Sequence, residues 1–216
     1  MIISPGRKFI FVHIPKTGGT SFAAALEQRA MAADILIGDT PKAKRRRKRL
    51  DKLRAKGRLW KHSTLADIDG VVSNADLAGY FIFTLVRNPW DRLVSYYAWL
   101  RAQTFEHPAV ALAKGSDFAT FLCDPAMQAS FRAGSYASYV RDTEGNDRAD
   151  VFIRLEHLEK DILPLEQHLG FCLRPLPHEN RSERARDYRA FYTDALAELV
   201  AEFCADDIGR FGYRFR

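Results

Sequence analysis

No apolar run in this 216-residue chain approaches the roughly 18 residues a membrane-spanning helix needs, so no span is expected. Met1-Ile2-Ile3-Ser4-Pro5-Gly6 does not read as a signal peptide. Cysteine is scarce: Cys123, Cys172 and Cys204 are odd in number, far apart and form no Cys-x-x-Cys pair. That speaks against a disulfide or zinc framework and for reduced, buried thiols in a cytoplasmic protein, with no metal expected. Internal repeats and Gly/Ser linkers are missing, and a hydrophobic content of 47% suits one domain over residues 1–216. Charge is unevenly spread: residues 42–61 hold twelve Lys/Arg against Asp51, a local +11 that leaves the remainder at −5 within a total of +6.

The phosphate loop of nucleoside triphosphatases, Gly-x-x-x-x-Gly-Lys-Ser/Thr, is also missing. What stands in its place is Phe9-Ile10-Phe11-Val12-His13-Ile14-Pro15-Lys16-Thr17-Gly18-Gly19-Thr20-Ser21. A buried-type strand breaks at Pro15, a glycine turn follows, and a helix opens near Thr20. Converging backbone N–H groups, the helix dipole and Lys16 together make a cradle for a phosphate-like anion. Thr20 and Ser21 also suit helix caps. A second strand, Tyr80 to Val86, runs into Arg87-Asn88-Pro89-Trp90-Asp91-Arg92-Leu93-Val94-Ser95-Tyr96-Tyr97. Pro89 suits a first helical turn, and Arg87 stands at a strand's C-terminal end, where open α/β sheets bind ligands. Two such sites imply a ligand with two separate anionic groups.

The coarse pattern reads as strand 8–14, helix 20–33, basic helix 42–56, a short helix from Thr64, strand 80–86 and helix 89–104. Two or three helices across 116–142, strand 151–155, helix 156–168 and a last helix 193–205 follow. Alternating strands and helices predict an α/β fold with a parallel sheet flanked by helices.

Ile14 to Ser21 resembles the 5′-phosphosulfate loop of sulfotransferases that use 3′-phosphoadenosine 5′-phosphosulfate (PAPS), and Arg87 to Tyr97 resembles their 3′-phosphate motif. The resemblance is to the carbohydrate, Golgi-type branch that includes heparan 2-O-sulfotransferases, in a short bacterial-type form. Phe152 to Leu158, Leu176 to Ser182 and Asp207 to Tyr213 agree with that branch more weakly. It implies a nucleotide-kinase-like sulfotransferase fold and sulfuryl transfer from PAPS to a hydroxyl of a carbohydrate or glycolipid. Carried over residue by residue, Lys16 would stabilise the leaving group. The backbone of Thr17, Gly18, Gly19, Thr20 and Ser21 would hold the 5′-phosphate, and Arg87 and Ser95 the 3′-phosphate. Arg92 is expected to partner Asp91 or Glu156, and Tyr97 to pack in the core.

A hydroxyl acceptor needs a base, and His62 lies where this branch supplies its catalytic histidine; a base tuned near pH 7 is expected. His62 also reads as a solvated residue before a cap at Ser63 or Thr64. His13 suits a core position and His178 a loop over the nucleotide, while His107, His157 and His168 suit surface or packing roles. The basic run reads as a solvated helix, as the border of an anionic acceptor site, or as a nucleic-acid patch that no aromatic interleaving supports. A small-molecule kinase and a non-catalytic polyanion binder are the rival functions.

Overall fold

Phe9–Val12 (β2) and Phe81–Val86 (β4) are apolar almost throughout because they are covered on both faces. The computed structural model describes residues 1–176 and 187–215. The two strands pair in parallel, with Phe9 opposite Phe81 and Val12 opposite Thr84. Alternate residues point to opposite faces: Phe9, Phe11, Phe83 and Leu85 enter one cluster, and Ile10, Val12 and Ile82 another. Each fully buried side chain of this kind contributes about 1.5–3 kcal/mol relative to exposure. Val151–Arg154 (β5) adds a third parallel strand beside β4.

The sheet is five-stranded, and only β2, β4 and β5 are parallel. Ile2–Ser4 (β1) and Ile35–Leu36 (β3) extend it antiparallel beyond β2, which corrects a purely parallel reading. Helix α1 (Gly19–Gln28) buries Phe22, Ala25 and Leu26 against the first cluster.

The expected basic helix over 42–56 is cut short. Pro41–Arg46 (α2) is capped by Thr40, whose hydroxyl accepts from the Ala43 N–H, and a 3₁₀ segment, Arg47–Lys52, follows. Like charges one turn apart destabilise a longer helix. No helix starts at Thr64 either. Thr64 and Asp67 each accept the other's backbone N–H, and Gly70 then turns the chain at φ +91°. The next helix, α3, is Asn74–Leu77.

Contact density divides the chain into two compact units, Met1–Val86 with the segment from Tyr136, and Arg87–Ser135 with the C-terminal segment. The first holds the sheet, α1–α3, Tyr136–Val140 (α8), Leu158–Asp161 (α9) and Leu163–Leu169 (α10). The second holds α4 (Pro89–Arg101), α5 (Pro108–Gly115), α6 (Phe118–Cys123), α7 (Pro125–Ala133), α11 (Asp194–Phe203) and α12 (Ala205–Phe211). Its helices pack around Trp90, Leu93, Tyr97, Phe121, Val200 and Phe203. Asn88, Asp117, Asp124 and Thr193 cap α4, α6, α7 and α11 through their side chains.

Candidate active site

The cradle forms where β2 hands over to α1. Lys16 and Gly18 both adopt the left-handed region, at φ 66° and 85°. Thr17 between them is fully buried, and its hydroxyl donates to the Ile14 carbonyl at 3.0 Å, closing the turn. A lysine held left-handed costs on the order of 1 kcal/mol or more, a strain that recurs at ligand sites. Two glycines are needed here by contact as well as by dihedral angle. A Cβ on Gly18 would come within 3.0 Å of the Leu155 side chain, and one on Gly19 would overlap the His13 ring.

Gly18 caps α1 without a side chain, and no acidic residue stands in the first turn. The positive end of the helix is therefore left for an anion. Thr20 and Ser21 lie inside α1, so neither is its cap. The Thr20 hydroxyl has no hydrogen bond among the described residues.

His62 sits in a turn that Ser63 ties together: the buried Ser63 hydroxyl bonds the Arg58 and Trp60 carbonyls and accepts from the Trp60 N–H. Ser63 thus closes a loop and caps no helix. The His62 ring packs edge-on between Trp60 and His13, at centroid separations of 5.0 and 4.7 Å. Its Nδ1–H donates to the His13 carbonyl at 2.7 Å. A carbonyl only accepts, so this bond fixes the tautomer and leaves the Nε2 lone pair as a proton acceptor. His13 is 6% exposed, stacks on Phe11 and acts through its backbone.

Burial drives His62 down to about 4, opposed by its hydrogen bond to the His13 carbonyl and reinforced by Lys61. The near-neutral value expected from the sequence is therefore corrected: the His62 ring is neutral well below pH 7. Burial also holds His13 well below its ordinary value. Folding consequently releases protons that the unfolded imidazoles bind below about pH 6.5, and the fold should weaken as pH falls from 6.5 towards 4. The His62 shift, from 6.5 to about 4, corresponds to roughly 3 kcal/mol at 1.36 kcal/mol per unit. Urea midpoints measured at pH 7.5 and 5 should show the loss, and His62→Gln should reduce the pH dependence; equal midpoints would contradict the burial argument.

In the second unit, Arg87 follows the last residue of β4 and forms a forked ion pair with Asp91, Nε to Oδ2 at 2.7 Å and a terminal nitrogen to the same oxygen at 2.5 Å. Asp91 therefore takes Arg87 as an ion-pair partner, a pair the sequence did not suggest. The Arg92 guanidinium is buried and lies 5.2 Å from the Phe131 ring centroid. Ser95, on α4, is 5% exposed, and its hydroxyl makes no hydrogen bond with any described residue. A buried orphan hydroxyl costs stability unless something reaches it. Tyr97 packs in the core as expected and donates to the Ser116 carbonyl at 2.8 Å.

Of the weaker motifs, the one from Phe152 to Leu158 makes contacts within the sheet-bearing unit. Arg154 pairs with Asp161 at 2.7 Å, and Leu155 covers Gly18. His107 caps α5, His157 is exposed, and His168 stacks on Phe81. His178, Asn180, Arg181 and Ser182 lie outside the described residues. Cys204 is buried, its thiol pushed up to about 12 by burial, but Cys123 and Cys172 are exposed, contrary to expectation. In the basic run, Arg46 and Arg49 bind the carbonyls of Met31, Asp34 and Ala32, Lys56 pairs with Asp69, and Lys61 with Asp39. Arg45, Arg47, Lys48, Lys52 and Arg54 are exposed with no ionic partner among the described residues, and the exposed Lys44 acts electrostatically on Asp39.

A glycine turn with a lysine beside the start of α1, on a mixed sheet with parallel strands flanked by helices, defines an α/β protein. The profile of the sulfotransferase family matches residues 1–214, and the chain belongs to that family. The fold is also that of mouse sulfotransferase SULT7A1, solved in complex with PAP, at a TM-score of 0.57 and 17% identity over 95% of this chain and 85% of the mouse chain. No curated protein sequence is matched. Among the described residues no helix is long and apolar enough to cross a membrane.

Proposed function

We propose that this sulfotransferase uses PAPS and sulfates a hydroxyl of a carbohydrate or glycolipid, as one domain over residues 1–216. The carrying observation is the open anion cradle at Lys16–Gly19, tied through His13 to a histidine whose Nε2 is free to take a proton. The PAP ligand of the mouse relative supports the donor. The orphan hydroxyl of Ser95 fits a phosphate that would supply its missing partner. The three free cysteines favour a reducing, cytoplasmic setting.

Bound PAPS supplies a sulfuryl group whose bond to phosphate breaks as the acceptor oxygen bonds sulfur. The backbone N–H groups from Thr17 to Ser21, with the Thr20 and Ser21 hydroxyls, hold the 5′-phosphate. Arg87, oriented by Asp91, and Ser95 hold the 3′-phosphate. Lys16 meets the negative charge that develops on the leaving bridging oxygen. His62 takes the acceptor's hydroxyl proton on Nε2 while its Nδ1–H stays on the His13 carbonyl. The exposed cations between Lys44 and Arg54 would draw an anionic part of an acceptor towards the protein.

Thermal shift with 3′,5′-adenosine bisphosphate (PAP), AMP and ATP tests the donor. A ligand that binds only the folded state at about 100 times its Kd stabilises it by roughly 2.7 kcal/mol. PAP is expected to reach that level with AMP and ATP far behind, and Arg87→Ala should erase the gap between PAP and AMP. Equal shifts with PAP and AMP in the unaltered protein would refute the two-phosphate site.

A further inference from the structure

The turn after α1 carries an apolar tip: Met31, Ala32 and Ala33 are all exposed, Met31 at 42%. Buried Asp34 holds the tip in shape, accepting from the Met31 N–H at 2.8 Å and the Ser4 hydroxyl at 2.7 Å. The basic segment grips the same turn. Arg46 Nη1 donates to the Met31 and Asp34 carbonyls at 2.8 and 3.2 Å, and Arg49 Nη1 to the Ala32 carbonyl at 2.7 Å. Arg7 and Arg29 both lie over the Phe171 ring, and Arg7 also reaches Asp34 at 4.0 Å.

A carbonyl carries no net charge, so these bonds fix Arg46 and Arg49 beside the tip without neutralising them. Five carboxylate residues from outside the basic run touch it: Glu27, Asp34, Asp39, Asp67 and Asp69. Subtracting all five from the local +11 still leaves +6, before Arg7 and Arg29 are added. An exposed apolar tip fixed among uncancelled cations suits the headgroup layer of an anionic bilayer, where buried apolar area and attraction to lipid phosphates act together. A nucleic acid would meet the cations but has no use for the tip. Residues 42–59 also hold no aromatic side chain to stack on a base.

We propose that this face docks on an anionic lipid bilayer, the tip at residues 31–33 entering the headgroup layer while the cations of residues 45–54 meet lipid phosphates. The whole surface belongs to the sheet-bearing unit. The inference is independent of the sulfuryl-transfer reading, since docking holds the protein at a membrane whatever group its site transfers.

Co-sedimentation with vesicles tests this. At about 0.1 M salt the protein should sediment with phosphatidylcholine vesicles that hold about one-third phosphatidylglycerol, and not with phosphatidylcholine alone. At about 1 M salt, where the Debye length is about 3 Å, the binding should be lost. Each cation near an anionic surface contributes about fivefold to partitioning, so Arg45→Ser, Arg47→Ser and Lys48→Ser combined should lower it on the order of 100-fold. Met31→Ser should lower it about fivefold, a loss that a purely electrostatic contact would not show. Arg45→Lys with Arg47→Lys should keep the binding, and thermal midpoints equal to the parent's show that the variants fold. No sedimentation with the anionic vesicles, equal binding to neutral ones, or an unchanged Met31→Ser would overturn the inference. So would release from the vesicles by a short DNA duplex at equal phosphate concentration, the result expected of a nucleic-acid surface.

Discussion

Lys16→Ala is expected to slow sulfuryl transfer by on the order of 100-fold or more, the scale of removing one preorganised charge-stabilising donor. PAP affinity should change far less, because the ammonium meets charge that grows only as the bridging bond breaks. kcat and kcat/KM should therefore fall together. The left-handed backbone of Lys16 supplies a control for folding. Lys16→Gly removes the charge and relieves the dihedral strain, at some cost in unfolded-chain entropy, so stability should stay within about 1 kcal/mol. A variant that folds as well as the parent and transfers poorly separates the two contributions. Near-parental turnover in either variant would reduce Lys16 to a surface charge.

His62→Ala should lower transfer by about 10²–10⁴-fold, the contribution of a positioned base, while the PAP thermal shift is kept. The pH profile is the sharper readout. With the free imidazole at about 4, kcat/KM for the donor should stay flat from about pH 5.5 through neutrality and drop only in more acid solution. Negative charge placed in the adjoining cradle favours the imidazolium, so the acid limb of kcat should lie higher than that of kcat/KM. Coincident limbs near pH 7 would mean that the ring is solvated and not packed between Trp60 and His13. An active His62→Ala protein would move the base elsewhere.

Both strand-end corners were readable because their strands are covered on both faces, so Phe9–Val12 and Phe81–Val86 stand out as continuous apolar runs ending at Pro15 and at Asn88-Pro89. Cap chemistry is local too, and Pro89 marked the start of α4 directly. The edge strands escaped notice because three and two residues are too few to show a period. The basic run kept a helical composition beyond the point where its own charges and the contacts of Arg46 and Arg49 end the helix. The sequence offers His62 as a candidate, but neither its tautomer nor its low proton affinity can be read there. Those depend on His13, forty-nine positions away in the chain, and on burial that no local pattern encodes. The Arg87–Asp91 pair is hidden in the sequence for a smaller reason: Arg87 and Arg92 both flank Asp91 within reach.

The contact between Gly19 and the His13 ring carries a consequence for how this sequence can drift. What position 13 gives His62 is a main-chain oxygen, which every amino acid possesses, so its identity is constrained by volume and not by imidazole chemistry. Position 19 is constrained by the same shared space from the other side. Lineages that acquire alanine at 19 should therefore carry a smaller residue at 13, and the two substitutions should be harmful singly yet tolerated as a pair.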